Sequence, residues 1–279
     1  MRVSYSQINS AAACGERFRL ERVLKVPQRP AWALVGGSAF HNMTEDFDRG
    51  HAVESFDDYL DAEIERRLEE APDFERDEWR ASGRASKEWP LKEDERWWRY
   101  HGPLFYDRYV RWSSAVPWVV ADIGGQPAIE LEIRHDFGGD LEFVGYVDRV
   151  YHDPRHDVLI VVDHKSGSYK PVTPRQLAFY AGLLRREYGA DVNLGAFYDA
   201  RSGSTGEVKD LSLYGYDRLE YQARALALMR EQGIYLANPG NLCSSCSVKE
   251  FCFEYSGADA IEVPAPHLHD PSQPAGEPD

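Results

Sequence analysis

The chain has 279 residues, 43% of them hydrophobic, which is enough to bury a sizeable core in one elaborated domain or a core with a subdomain. No apolar run approaches a membrane span and the N-terminus has no signal-peptide h-region, so a cytoplasmic protein without a membrane partner is expected. The formal net charge of −15 makes the distribution of charge along the chain more informative than its total.

From the N-terminus, the stretch 4–23 reads as two short helical pieces broken at Cys14-Gly15, with Arg17, Arg19 and Arg22 interleaved with Phe18 and Leu20. Gly36-Gly37-Ser38 is expected to introduce a helix carrying His41 and Glu45, four apart on one face. Residues 54–115 are charged, aromatic and helical in flavour, with Trp79, Trp89, Trp97, Trp98, Tyr100, Phe105, Tyr106, Tyr109 and Trp112. Packing as the core of a helical insertion is the default for such rings; stacking on unpaired bases is the functional alternative. The acidity is local: residues 45–95 hold 19 acids and 8 bases, and residues 255–279 hold 5 acids and no base. The rest of the chain, with 24 bases against 23 acids, is neither acidic nor strongly basic, which suits a local channel better than a basic clamp.

After Pro117 the pattern changes to strands. Residues 128–137 alternate, with Ile129, Leu131 and Ile133 on one side and Glu130, Glu132 and Arg134 on the other. Gly138-Gly139-Asp140 predicts a hairpin turn into a strand over 141–151, and Asp153-Pro154-Arg155-His156 a turn into another over 157–165. A helix over about 173–188 then crosses to an apolar strand, 192–198, predicted to lie parallel in the sheet. Residues 208–214 are an edge-strand candidate, and Asp217 with Glu220 gives a capping-box pattern for a last helix to about Leu236. From about Val263 the proline-rich tail is expected to be disordered.

The chemistry concentrates in two of these strands. Asp148 shares a face with Val144, Tyr146 and Val150, where an unpaired acid is costly unless it is paired or holds a cation. Asp163 and Lys165 share a face at the end of a run that is apolar from Val158 to Val162, while His164 points away. Two converging carboxylates can hold Mg²⁺ or Mn²⁺, and an adjacent ammonium can orient a water or offset charge on a phosphoryl group. Taken alone, Asp163 and Lys165 would make an ordinary ion pair at a strand end.

The second signal is cysteine. Cys243, Cys246 and Cys252 lie close together, and only Cys14, far upstream, is left as a fourth ligand. In an intracellular chain that spacing reads as a metal site, and by chemistry alone four thiolates suit zinc or an iron-sulfur cluster.

Taken together, Gly145-Tyr146-Val147-Asp148-Arg149, Asp163-His164-Lys165-Ser166-Gly167 and Gln176-Leu177-Ala178-Phe179-Tyr180 resemble the core motifs of the PD-(D/E)XK nuclease superfamily, in particular its RecB-like branch with the CRISPR-associated iron-sulfur exonucleases. The resemblance covers residues 4–41 and 128–252. It implies that Asp148 and Asp163 bind Mg²⁺ or Mn²⁺ with His41 and the backbone carbonyl of His164, and that Lys165 assists the attacking water. Gln176 and Tyr180 would position the nucleic-acid strand beside the metal. It also implies a [4Fe-4S] cluster on Cys14, Cys243, Cys246 and Cys252, with zinc as the lesser alternative. Gly15 stands where the family usually has proline.

The expected fold is therefore α/β: a restriction-endonuclease-like PD-(D/E)XK core with a mixed β-sheet flanked by helices, a helical insertion and a four-cysteine metal clasp. The expected divisions are 1–53 (N-terminal helical part with Cys14 and His41), 54–115 (insertion), 116–240 (nuclease core), 241–256 (cysteine cluster) and 257–279 (disordered tail). The resemblance implies a metal-dependent DNA exonuclease with a preference for single strands or free ends. Proteins of recombination, replication or CRISPR adaptation are the partners it leaves open. A non-catalytic DNA-binding or assembly module with a structural iron-sulfur or zinc site is the competing reading.

Overall fold

The computed structural model describes residues 1–168, 171 and 173–264. In chain order the elements begin β1 (Arg2–Val3), α1 (Tyr5–Ala13), α2 (Gly15–Phe18), α3 (Trp32–Arg49), α4 (Phe56–Glu70), α5 (Glu95–Ala115), β2 (Val119–Val120), β3 (Asp122–Ile123) and β4 (Gln126–Pro127). They continue with β5 (Ile129–Asp136), β6 (Glu142–Asp153), β7 (Val158–Lys165), α6 (Arg175–Tyr188), β8 (Val192–Asp199), β9 (Ser204–Thr205), β10 (Lys209–Asp210), α7 (Tyr216–Glu231) and α8 (Phe253–Ser256). Two compact units share this chain. One holds Arg29–His135 and Val144–Tyr216; the other holds Met1–Gln28, Asp136–Phe143 and the chain from Asp217 onward.

In the larger unit β6 and β7 are antiparallel, with Arg149 opposite Val162, and β7 and β8 are parallel, with Asp163 opposite Phe197. The parallel pair is joined through α6, as the crossover expectation required. The apolar run of β7 is covered on both faces, which is why it does not alternate. Ile160 and Val162 pack in one cluster with Phe40 of α3 and Trp98 and Tyr109 of α5. On the opposite face Val161 and Gly195 meet Leu177 of α6, where a Cβ on Gly195 would lie 3.2 Å from that of Leu177.

Several expectations about this unit are corrected. Gly36 and Gly37 do not introduce α3 but lie inside it. A methyl group at Gly36 would fall 2.0 Å from the Trp98 indole, and one at Gly37 would lie 3.2 Å from Ser166 Oγ, so close packing is what these glycines serve. Between α4 and α5 the chain is largely irregular rather than helical. The rings of this region form a core: Trp79, Trp97, Trp98, Phe105 and Tyr109 are buried, and only Tyr100 is largely exposed. A base-stacking platform is therefore not what the aromatic density builds. The edge strand expected over 208–214 shrinks to β10, and Tyr146, placed by alternation on a mainly apolar face, is half exposed with its hydroxyl on Glu132.

In the smaller unit Val3 pairs with Phe143 in parallel. Ser4 caps α1 by accepting the Gln7 N–H, and the break falls at Cys14 as expected. Gly15 then donates its N–H to Leu236 O at 2.8 Å, and any Cβ there would lie 2.7 Å from the Leu236 nitrogen. That close approach explains glycine at this position. Helix α7 begins at Tyr216 and ends at Glu231, earlier than its apolar pattern suggested. Within the segment 257–264, Val263 packs on the Leu20, Val26 and Val248 cluster, and Arg19 Nη1 donates to Pro264 O at 2.7 Å. The tail expected beyond, 265–279, lies outside the described residues.

Candidate active site

Extending the β6–β7 register by one residue sets Asp148 beside Asp163. Asp148 Oδ2 accepts the backbone N–H of His164 at 2.7 Å, which locks the two strand ends together. His164 then presents its carbonyl to His41 Nε2 at 3.1 Å, while His41 Nδ1 stands 3.6 Å from Asp148 Oδ2 and 3.8 Å from Glu130 Oε1. Asp163 is buried, and Lys165 Nζ approaches its Oδ2 to 2.5 Å. Lys165 also donates to Gln176 Oε1 at 3.0 Å, and Gln176 Nε2 reaches the Tyr180 hydroxyl at 3.5 Å. The lysine head group is thus held between a carboxylate and an amide, and the four-residue spacing of Gln176 and Tyr180 on α6 is what lines up that relay.

The site is electrostatically tense. Burial works against a charged His41, but Asp148, Glu130 and Asp163 together outweigh it and raise its pKa to about 9. Burial pushes Asp163 up to about 6, with Lys165 opposing and Asp148 reinforcing the shift. The His164 ring is turned the other way, among Phe40, Tyr109 and Tyr198, and burial holds its pKa well below the usual value, so it is neutral. Of His164, only the backbone faces the site.

Residues without motif signatures hold this geometry. Arg149, fully buried, donates to Asp48, to the Asp148 carbonyl and, at 3.3 Å, to Glu130 Oε1. Tyr109 donates to the same Asp48 carboxylate. On the far side of Lys165, Ala200 N–H bonds the Lys165 carbonyl at 2.9 Å and Arg201 Nε bonds the Ser166 carbonyl at 3.0 Å. Arg201 also forks onto Glu93 with two 3.0 Å bonds and lies 4.8 Å over the Trp97 ring.

His41, Glu130 and Asp148 each offer a ligand atom within 4.8 Å of one another, a mixed oxygen and imidazole set suited to a hard divalent cation. Asp163, committed to Lys165, stands outside that trio. Sequence reading did not single out Glu130. Alternation put it only on the polar face of its strand, and what brings it to Asp148 is the pairing of β5 with β6.

The model of the PD-(D/E)XK nuclease superfamily matches residues 2–253. This chain belongs to that superfamily. Two mycobacteriophage proteins, both called "Gene 69 protein", are similar to it. The one from Mycobacterium phage D29 is 32% identical over 209 residues, 67% of this chain and 70% of that protein. The one from Mycobacterium phage L5 is 33% identical over 219 residues, 67% of this chain and 72% of that protein. Membership in a nuclease superfamily agrees with the mixed sheet, its flanking helices and the carboxylate-lysine centre at the ends of β6 and β7. Among the described residues no helix is long and apolar enough to cross a membrane.

Proposed function

We propose that the chain is a metal-dependent DNA exonuclease preferring single strands or free ends, with Asp148, Asp163, the His164 carbonyl and His41 holding Mg²⁺ or Mn²⁺. The observation carrying this reading is the convergence on one strand end of Asp148, bonded to His164 N–H at 2.7 Å, with Asp163 and Lys165 at 2.5 Å. When bound, the cation supplies Lewis-acid charge and acidifies a ligated water. The chain's residues do the rest. Lys165, its ammonium held by Asp163 and Gln176, assists the attacking water and offsets the charge that grows on the phosphoryl oxygens. Tyr180, largely buried and with its pKa raised by burial, keeps its proton and offers a neutral hydroxyl beside Gln176. The exonuclease activity and the preference for unpaired ends rest on the RecB-like motif pattern and on a chain that is not strongly basic outside its acidic segments.

The four cysteines, none in a disulfide, all belong to the smaller unit, and we infer that they hold a [4Fe-4S] cluster. Two of the sulfurs accept backbone N–H groups, as thiolate ligands do: Cys14 from Arg17 and Asn238, and Cys243 from Gly240. Four thiolates suit zinc as well, and the RecB-like motif pattern is what favours the iron-sulfur cluster.

The test is degradation of end-labelled single-stranded and duplex DNA by anaerobically purified protein, with Mn²⁺, Mg²⁺ or EDTA, beside Asp163→Asn and Lys165→Ala. The expected result is cation-dependent cleavage of the single strand, falling by about 10²-fold or more in both variants. Wild-type protein that cuts nothing while its cysteine site is loaded would instead support a DNA-binding or assembly module.

A further inference from the structure

We propose that Glu130 is a direct ligand of the divalent cation alongside His41 and Asp148, a role that rests on the nuclease reading and adds a carboxylate that none of the motifs carries. The trio is assembled from three separate elements, β5, α3 and β6, with the His41 imidazole set between the two carboxylates at 3.6 and 3.8 Å. Three ligand atoms within 4.8 Å of one another are close enough for one ion to engage them with small side-chain adjustments. The two carboxylates suit Mg²⁺ and Mn²⁺, and the imidazole favours Mn²⁺ of the two.

The chain around Glu130 is shaped to deliver this side chain. Its φ of +45° lies in the left-handed region, within a strand whose neighbouring residues Ile129 and Leu131 are buried. A non-glycine residue there is strained, and such strain persists where the surroundings fix it. Here Arg49, near the end of the helix that carries His41, donates to the Ile129 carbonyl at 2.8 Å and so ties α3 to the residue before Glu130. Arg149 holds Glu130 from behind at 3.3 Å while bonding the Asp148 carbonyl, which couples the positions of the two carboxylates through one guanidinium. That same guanidinium offsets part of the negative charge gathered around the site.

A purely structural Glu130 would serve only as the acceptor for Arg149, and glutamine would serve nearly as well. A ligand needs the charge. The decisive measurement is Mn²⁺ titration of the full chain, with its cysteine site loaded, read by the electron paramagnetic resonance of free Mn²⁺ and by the Mn²⁺-dependent rise in Tm. Wild type, Glu130→Gln, Glu130→Asp and Glu132→Gln are compared, the last removing the next acid on the same side of β5. The expected result is a Kd raised about tenfold or more in Glu130→Gln, an intermediate value in Glu130→Asp and a wild-type value in Glu132→Gln. A Kd for Glu130→Gln within about twofold of wild type overturns the proposal, and cleavage of DNA by the wild type would then leave the nuclease reading intact. The expected Kd pattern in a wild type that cuts no DNA would uphold Glu130 as a ligand while the nuclease reading fails.

Discussion

At the level of single residues, His41 and Asp163 both hold protons more tightly in the folded chain than they would when exposed. His41 rises from its ordinary 6.5 to about 9 because, against burial, its neighbours are carboxylates, and Asp163 rises from 3.8 to about 6 because it is buried. Between 6.5 and 9 the native state therefore binds more protons than the unfolded chain through His41. That contribution is fully present below pH 6.5 and is lost as pH climbs through about 9. For the cation-free protein we expect stability to fall by about 2 kcal/mol over this window, discounted from the full shift because the imidazole is 27% exposed. A cation that replaces the proton on His41 should raise Tm more at pH 9 than at pH 6.5. Thermal melts in EDTA and in Mn²⁺ at both pH values measure this, with His41→Gln as the comparison. A slope of the same size in His41→Gln would show that the proton sits elsewhere.

At the level of elements, what the sequence made legible was whatever chain-local pattern determines. Alternation and turns located β5, β6 and β7, and the crossover rule gave β8 its parallel direction beside β7. The spacing of Asp163 with Lys165, and of Gln176 with Tyr180, fixed which side chains meet, because strand and helix periods are local geometry. What stayed hidden depends on tertiary pairing. Glu130 reads like Glu132 until β5 is laid against β6, and the glycines of α3 read as a helix start until α5 is packed across them. The Trp98 indole occupies the space a side chain at Gly36 would need. Gly36→Ala should therefore cost more than the usual overpacking penalty of about 1–3 kcal/mol, despite alanine's better helix propensity. Because α3 also carries His41, the same substitution should weaken Mn²⁺ binding. Chemical denaturation beside Mn²⁺ titration checks both, and Gly50→Ala at the left-handed end of α3, where no atom lies within 4 Å of the added methyl, controls for backbone strain alone. Unchanged Mn²⁺ affinity in a destabilised Gly36→Ala would mean that α3 is held at His41 by contacts other than Trp98.

At the level of the whole molecule, the two ends of the described chain belong to one compact unit although most of the sequence lies between them. Gly15 donates to Leu236, Asn238 Nδ2 donates to the Ala13 carbonyl at 2.9 Å, and Ser247 donates to Glu21, so the N-terminal and C-terminal segments are joined by bonds that sequence distance would never suggest. Leu20, Val26 and Val248 form a buried cluster that also joins the two segments, and the long stretch of chain between them makes their closure entropically costly. On the cluster reading, ligation by Cys14 adds a cross-link to these contacts, since a metal that ties distant segments contributes folding energy directly. Burial, the largest influence on Cys246 and Cys252, raises both thiols, so without metal they stay protonated and contribute no such link. The four ligands should then behave as one unit. Cys14→Ser and Cys252→Ser, from opposite ends of the chain, should each abolish the iron content and visible absorbance and lower Tm by a similar amount, and the double variant should be no worse than either alone. Iron analysis with melting curves of anaerobically prepared protein decides it. Additive losses of Tm, or iron retained in Cys14→Ser, would mean that the N-terminal cysteine is a packing residue and that the ends are joined without it, by the hydrogen bonds of Gly15, Asn238 and Ser247 and the apolar cluster of Leu20, Val26 and Val248.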